Sequence, residues 1–124
     1  MTRPKVPSPV ALRNIKHSIM TIMFCDLRNF TSLSERTTPT ELVAILNELF
    51  TRLSACILEE EGTIDKFIGE SVMAFWNAPL RTPDHAARAC RAALRMRTAL
   101  EEFNADRQLS GSQRIEFAIV GALW

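Results

Sequence analysis

The chain has 124 residues, 47% hydrophobic and 23% charged, which is typical of one globular domain and excludes a disordered or fibrous protein. The formal net charge is +1, so no overall field attracts nucleic acid or an anionic membrane, and no apolar run reaches the ~18 residues of a membrane span. Cys25, Cys56 and Cys90 are odd in number and far apart, which argues against disulfides or a zinc site and predicts reduced, buried thiols in a cytoplasmic protein.

The chain begins with a predicted flexible basic leader, residues 1–17, which holds three prolines and four Lys/Arg but no acid. Its charge suits phosphate or lipid headgroups, although a solvated tail is the simpler interpretation. Residues 18–25 form a short apolar run that predicts a buried strand ending at Asp26. A loop follows, with a helical turn predicted near Ser32. We assign the folded domain to residues 18–124.

A long helix is predicted after Thr38. Thr38, Pro39 and Glu41 match a capping box with proline at the first helical position. Gly62 is placed to end this helix. Between these signals an apolar stripe recurs at helical spacing: Leu42, Leu46, Leu49, Leu53 and Ile57.

Two short strands are predicted on either side of Gly69. Ile64, Lys66 and Ile68 are predicted to share one side of the first strand, because side chains alternate along a strand. The second strand has the sequence VMAFW. So short a connection requires the two strands to be antiparallel.

A second long helix follows, with Thr82 as its predicted cap and Pro83 at its start. Arg88, Arg91 and Arg95 share one helical face, which favours a solvated surface over an acidic partner. The segment RIEFAIVGALW then predicts a last strand. The buried face of the helix is predicted to hold Ala86, Ala89, Cys90, Ala93, Met96, Leu100 and Phe103.

The order strand, helix, strand, strand, helix, strand is the ferredoxin-like split βαβ plan. We therefore predict an α+β fold with an antiparallel sheet and helices on one face. In this plan the first strand lies between the third and the last, so the end of the first strand meets the start of the third.

Two acids are predicted to meet at that point: Asp26 ends the first strand and Glu70 precedes the third. Carboxylates so close repel each other unless a cation lies between them. Oxygen ligands without His or Cys suit Mg²⁺ or Mn²⁺, and Mg²⁺ is typically held by one or two carboxylates and substrate phosphates. Backbone N–H groups after Asp26 would suit those phosphates. By spacing alone, solvated acids or pairs with Arg28 and Lys66 remain open.

Three stretches carry a resemblance to a known family: FCDLRNFTSLSE, GTIDKFIGESVMAFWNAP and DHAARACRAALRM. In this order and at these distances they resemble the catalytic domain of the class III adenylate and guanylate cyclases, from about residue 19 to about residue 119. The resemblance implies an incomplete nucleotide cyclase fold, conversion of ATP to cyclic AMP and pyrophosphate, intracellular signal transduction, and a dimer of two cyclase domains.

The resemblance also implies roles for individual residues. Asp26 and Glu70 stand where the family has two metal-binding aspartates, and the carbonyl of Leu27 also reaches the metal, so two Mg²⁺ or Mn²⁺ ions are implied. Lys66 matches the lysine that reads adenine in adenylate-type members. The loop whose backbone holds the triphosphate corresponds to Asn29, Phe30 and Thr31.

The sequence departs from the family pattern in three ways. Asn29 replaces a glycine, although asparagine tolerates a positive φ better than other side chains do. Glu70 replaces an aspartate, which lengthens the side chain by a methylene. The chain also ends before the family's transition-state asparagine and arginine. We therefore assign no catalytic residue, and expect a truncated domain that is inactive alone; the alternative is a non-catalytic cyclase-like module that binds nucleotide or dimerises with a complete partner.

Overall fold

The computed structural model describes residues 19–28, 30–107 and 114–123, and the predicted leader, residues 1–17, lies outside this range. None of the helices in these residues is both long enough and apolar enough to cross a membrane. The elements are, in chain order, β1 (Thr21–Arg28), α1 (Phe30–Arg36), α2 (Pro39–Glu59), β2 (Thr63–Ile68), β3 (Ser71–Trp76), α3 (His85–Asp106) and β4 (Glu116–Leu123).

The strands of the described residues form one antiparallel sheet in the order β2-β3-β1-β4. The predicted α+β class is confirmed, and so is the position of the first strand between the third and the last. Asp26 lies opposite Ser71 of β3 and Ala118 of β4. Because residues alternate along a strand, this register decides which side chains share a face.

The core lies between the sheet and the two long helices. Met23, Cys25 and Leu27 alternate along β1 and are all buried, so this face of β1 lies under the helices. The predicted stripe of α2 is confirmed at its C-terminal half. Buried residues of the helices and of β3 complete this core: Ile45, Leu49, Leu53, Ile57, Val72, Ala74, Trp76, Ala89, Ala92, Met96, Leu100 and Phe103.

The two long helices begin differently. At α2 the predicted capping box is present, with the Glu41 N–H donating to Thr38 Oγ1 and the Thr38 N–H donating to the Glu41 carboxylate. The prediction for α3 is wrong: its N-cap is Asp84, and Thr82 instead belongs to the preceding loop. The reason lies within the loop, since the Thr82 N–H donates to Asn77 Oδ1, five residues earlier, at 2.6 Å. Helix α1 begins earlier than predicted, at Phe30.

The arginine face of α3 is partly solvated, as predicted, with Arg91 and Arg95 49% and 53% exposed, but it also pairs with an acid, which the prediction disfavoured. The Glu60 carboxylate, at the end of α2, is 6% exposed and lies 3.2 Å from Arg91 Nε, 3.0 Å from Arg95 Nε and 3.9 Å from Arg88 Nη1. Burying a carboxylate is unfavourable unless it is paired. The three arginines therefore pair with an acid of the same chain, at the C-terminal end of α2, and this pairing connects α2 to α3.

Two smaller predictions are also wrong. A bulge between Ile64 and Lys66 breaks the alternation of β2, so Ile64 packs against the core while Lys66 is exposed. Of the three cysteines, Cys25 is buried, Cys56 is partly buried and Cys90 is exposed. Cys90 misses the core because the buried face of α3 is centred on Ala89, Ala92 and Met96 rather than on its own side.

Candidate functional site

The sheet has one surface that the long helices leave uncovered, which we call the open face. By register and alternation it holds Ile22, Phe24, Asp26 and Arg28 of β1, Lys66 and Ile68 of β2, Ser71, Met73 and Phe75 of β3, and Ala118 and Val120 of β4. Phe24, Ile68 and Val120 are 48%, 57% and 64% exposed. Phe24 and Val120 are direct cross-strand partners, and large apolar side chains exposed in this way mark a surface for association or ligand binding.

Asp26 lies at the polar end of the open face. Its carboxylate is exposed, and Ser71 Oγ donates to its Oδ1 at 2.6 Å. Within the described residues no lysine or arginine makes an ion pair with it. The carboxylate therefore keeps its second oxygen, Oδ2, open for another partner.

Glu70 is brought to the same end of the sheet. It lies in the turn between β2 and β3, where Gly69 has φ +55°, a left-handed conformation that favours glycine. The Leu27 N–H donates to the Glu70 carbonyl at 3.1 Å, so the backbones next to the two acids are bonded directly. The predicted meeting of Asp26 and Glu70 is thus present at the level of the backbone.

Lys66 shares the open face with Asp26. Lys66 is the cross-strand partner of Met73, and Asp26 is the cross-strand partner of Ser71, two residues away along β3. The Cα atoms of Lys66 and Asp26 are therefore separated by two strand spacings across the sheet and two residues along it. These steps amount to about 12 Å. Its ammonium lies 3.9 Å from the Asp65 carboxylate, and both side chains are largely exposed. So loose a pair leaves the lysine available to a ligand.

The loop after Asp26 is described only in part. Asn29 lies outside the described residues, while Phe30 is the first residue of α1 and Thr31 is exposed. The Thr31 carbonyl accepts a hydrogen bond from Ser34 Oγ at 2.8 Å. The side chain of Leu27 is buried, so only its backbone carbonyl would be offered to a ligand, as the resemblance implies.

Cys25 takes no part in this chemistry. Burial and, to a smaller extent, the neighbouring Asp26 carboxylate raise the pKa of the Cys25 thiol to about 12. At neutral pH it is therefore a neutral thiol and a poor metal ligand, since the thiolate is the ligating form.

The donor set fits a hard divalent cation. Among the described residues no group of three or more His, Cys, Asp and Glu side chains could hold a metal alone. An exposed carboxylate free of ion pairs, a second acid beside it and nearby backbone oxygens are the kind of partial oxygen set that Mg²⁺ completes with substrate phosphates. A structural metal site differs in that the protein supplies all of its ligands.

Sequence reasoning missed Ser71. The available signal was its position directly after Glu70, because the first residue of the third strand had to lie opposite the end of the first strand. Nothing in the residue type alone distinguished it from the chain's other serines.

Comparison with known proteins places these residues in a family. The model of the "Adenylate and Guanylate cyclase catalytic domain" matches residues 12–119. Adenylate cyclase 1 of Rhizobium meliloti is 45% identical over 92 residues, which are 74% of this chain and 14% of that protein. An adenylate cyclase of Anabaena cylindrica is 36% identical over 104 residues, 81% of this chain and 20% of that protein.

Comparison with solved structures leads to the same family. The guanylyl cyclase Cya2 superposes with a TM-score of 0.78 at 36% identity, over 86% of this chain and 54% of that one. The dimeric guanylyl cyclase domain of the RhoGC fusion protein from Blastocladiella emersonii gives 0.70 at 26% identity, over 85% and 57%. The chain thus spans about half of these solved domains and a smaller part of its curated relatives.

Proposed function

Since this chain belongs to the adenylate and guanylate cyclase catalytic domain family, we propose that it contributes to a site that converts ATP to cyclic AMP and pyrophosphate. The observation that carries the proposal is the backbone hydrogen bond between β1 and the β2–β3 turn, which brings Asp26 and Glu70 to the same end of the sheet. The chain spans about half of the solved relatives, so the activity of a whole cyclase is part of the proposal.

Asp26 and Glu70 would hold Mg²⁺ or Mn²⁺, together with the backbone carbonyl of Leu27. When bound, such ions would neutralise the triphosphate and lower the pKa of the ribose 3′-hydroxyl. The contribution of these residues is to fix the geometry, because Mg²⁺ demands near-ideal octahedral coordination. The longer side chain of Glu70 makes the site weaker than one with two aspartates.

The nucleotide would lie along the open face. Its triphosphate would meet the backbone of Asn29, Phe30 and Thr31, and its base would meet Lys66. The separation of about 12 Å between the Cα atoms of Lys66 and Asp26 suits a ligand whose base and phosphates lie at opposite ends. The lysine supports ATP over GTP as the substrate, since it matches the lysine of adenylate-type members.

A second cyclase domain would complete the site, as a copy of this chain or as a different partner. The support for this is the exposed apolar part of the open face, around Phe24, Ile68 and Val120. Burying these side chains would stabilise a dimer by about 25 cal/mol per Å² of apolar surface removed from water. A cytoplasmic location fits both ATP as the substrate and the thiols of Cys25 and Cys56.

A second candidate function is a cyclase-like module that binds nucleotide or dimerises with a complete partner but does not turn over. Two departures from the family pattern favour it: Asn29 stands where the family has a glycine, and Glu70 stands where the family has a metal-binding aspartate. Because Mg²⁺ demands near-ideal octahedral geometry, a longer acid at this position would weaken turnover.

The test combines binding and turnover. Thermal unfolding of the chain is followed with Mn²⁺ and ATP, with Mn²⁺ and GTP, and with Mn²⁺ alone, and cyclic AMP is measured in parallel. We expect the ATP and Mn²⁺ pair to raise the melting temperature, because a ligand that binds only the folded state stabilises it. The Asp26→Asn variant should lose this shift.

The matched control is Glu102→Gln, which removes an equal charge from an exposed residue of α3, a helix that packs against the other face of the sheet. This variant should keep the shift. A shift without cyclic AMP supports the non-catalytic module, and a shift that survives Asp26→Asn, or no shift for the unmodified chain, contradicts the proposed site.

A further inference from the structure

The Asp26 carboxylate has one defined side-chain contact in the described residues, and it comes from Ser71. The Ser71 hydroxyl donates to Asp26 Oδ1 at 2.6 Å, a short and therefore strong hydrogen bond to a charged acceptor. We propose that Ser71 is a positioning residue, which orients the Asp26 carboxylate for cation binding. This inference rests on the proposed function of the same site.

The backbone fixes both ends of this contact. Asp26 and Ser71 are direct cross-strand partners in the β1–β3 ladder, which extends over six residue pairs, from Thr21↔Trp76 to Asp26↔Ser71. The Leu27 N–H bond to the Glu70 carbonyl continues the connection one step further. Because Cα atoms of such partners lie only about 5 Å apart, a side chain as short as serine reaches the carboxylate without adjustment of the backbone.

An orienting contact matters here because the carboxylate is exposed. An exposed aspartate otherwise rotates freely about its two side-chain torsions, and that freedom is lost when a cation binds. The hydroxyl holds Oδ1 and leaves Oδ2, with the remaining lone pair of Oδ1, directed away from Ser71. Groups that orient a metal-binding side chain in this way typically change metal affinity by about 10–100-fold when they are removed.

The neighbouring acid increases the dependence on Ser71. Glu70 has one more rotatable bond than the aspartate of the family pattern, so it contributes a less defined oxygen. The chain then relies on Asp26 for the defined part of the coordination. Glu70 and Ser71 are consecutive, so a single turn supplies both the second acid and the hydroxyl that orients the first.

The experiment compares Ser71→Ala with Ser71→Thr. Threonine keeps the hydroxyl and suits a strand, whereas alanine removes only the donor. Mn²⁺ affinity is measured by the electron paramagnetic resonance signal of free Mn²⁺, with and without ATP, which needs no turnover. We expect Ser71→Ala to weaken Mn²⁺ binding about 10-fold or more, and Ser71→Thr to stay within about 3-fold of the unmodified chain.

Two controls separate positioning from folding. Thermal unfolding without metal should be nearly equal for all variants, because Ser71 lies at the end of its strand and is not buried. Thr51→Ala removes a hydroxyl that donates to the Asn47 carbonyl within α2, and it should leave Mn²⁺ affinity unchanged. In an Asp26→Asn background, Ser71→Ala should cause no further loss, since the two residues act as a unit.

The outcomes distinguish this inference from the proposed function. If the unmodified chain binds no Mn²⁺ in the presence of ATP, both are overturned. If Asp26→Asn abolishes binding while Ser71→Ala retains full affinity, only the role of Ser71 is overturned. A loss in Ser71→Ala that Ser71→Thr does not restore also contradicts positioning by the hydroxyl.

Discussion

The two faces of the sheet differ although the same strands form both. On β1, Met23, Cys25 and Leu27 are at most 5% exposed beneath the helices, whereas Phe24, between two of them, is 48% exposed on the open face. Alternation along the strand thus assigns packing to one side and leaves the other side exposed. Substitutions on the covered face should therefore change stability, and those on the open face should change binding.

The largest effect is expected from Trp76→Ala. Trp76 is fully buried, and its Nε1–H donates to the Glu60 carbonyl at 3.0 Å. Removing the ring leaves a cavity and an unpaired carbonyl, so we expect a loss of about 3–5 kcal/mol in the free energy of unfolding, measured by urea denaturation. Phe24→Ala, on the open face, should cost about 1 kcal/mol or less. Equal losses from the two variants would contradict the comparison.

A smaller loss is expected from Asn104→Ala. Asn104 Nδ2 donates to the Ile115 carbonyl at 2.9 Å, and the Ile115 N–H donates to Asn104 Oδ1 at 3.0 Å, both bonds being buried. Truncation leaves two buried backbone groups unpaired at the entrance to β4, which should cost about 1–3 kcal/mol in a denaturant titration. Asn47→Ala, at an exposed position of α2, should be neutral, and a neutral Asn104→Ala would show that water replaces the side chain.

Glu60→Gln tests the contact between the long helices. The buried carboxylate meets three arginines that are 27–53% exposed, so water screens much of the interaction. We expect a loss of about 1–2 kcal/mol in chemical denaturation, decreasing as salt is added. The exposed neighbour Glu59, which contacts Arg95, supplies the control Glu59→Gln. A loss as large from the control would mean that burial of Glu60 is unimportant.

The smallest effect on stability is expected from lowering the pH. The hydrogen bond from Arg107 lowers the pKa of Glu48 below its ordinary value of 4.5, and the hydrogen bond from Arg88 lowers the pKa of Asp84 below 3.8. The unfolded chain takes up these protons first, so the stability from each pair is present above the ordinary value and is lost as pH falls through the folded pKa.

Unfolding by urea between pH 7 and pH 3 measures this loss. Glu48→Gln should flatten the decline that begins near pH 4.5, the ordinary pKa of Glu48. Glu102→Gln, which removes an exposed acid that makes no ion pair in the described part of the chain, should not change its slope. If the free energy of unfolding of Glu48→Gln declined as steeply as that of the unmodified chain, the pair with Arg107 would contribute nothing to the loss of stability at low pH.

Prediction from the sequence worked best where a feature depends on neighbouring residues. The capping box at Thr38 and the apolar stripe that includes Leu49 and Leu53 are local patterns, and both are confirmed. It failed at Thr82, whose N–H is taken by Asn77, and at the arginines of α3, whose acidic partner lies about 30 residues earlier in the chain. The partner of the arginines is distant in sequence, whereas the contact of Thr82 with Asn77, five residues away, depends on how the loop folds.

The candidate site also combines features that the sequence predicts with features that it does not. The topology placed Asp26 beside the turn that holds Glu70, and the bond from the Leu27 N–H to the Glu70 carbonyl agrees with that placement. The bulge of β2, which separates Ile64 from Lys66, was not predictable, because it depends on the exact pairing of strands. The topology also placed Ser71 opposite Asp26, but the hydrogen bond between their side chains is seen only in the structure.

The sequence by itself determined the order of elements, the apolar stripes and the family motifs, because residues a few positions apart encode periodicity and capping. Only the tertiary structure decided which face of the sheet stays open, which carboxylate the arginines surround and which hydroxyl orients Asp26. These features depend on strand register and helix packing, where interactions between residues dozens of positions apart determine the arrangement of lowest free energy.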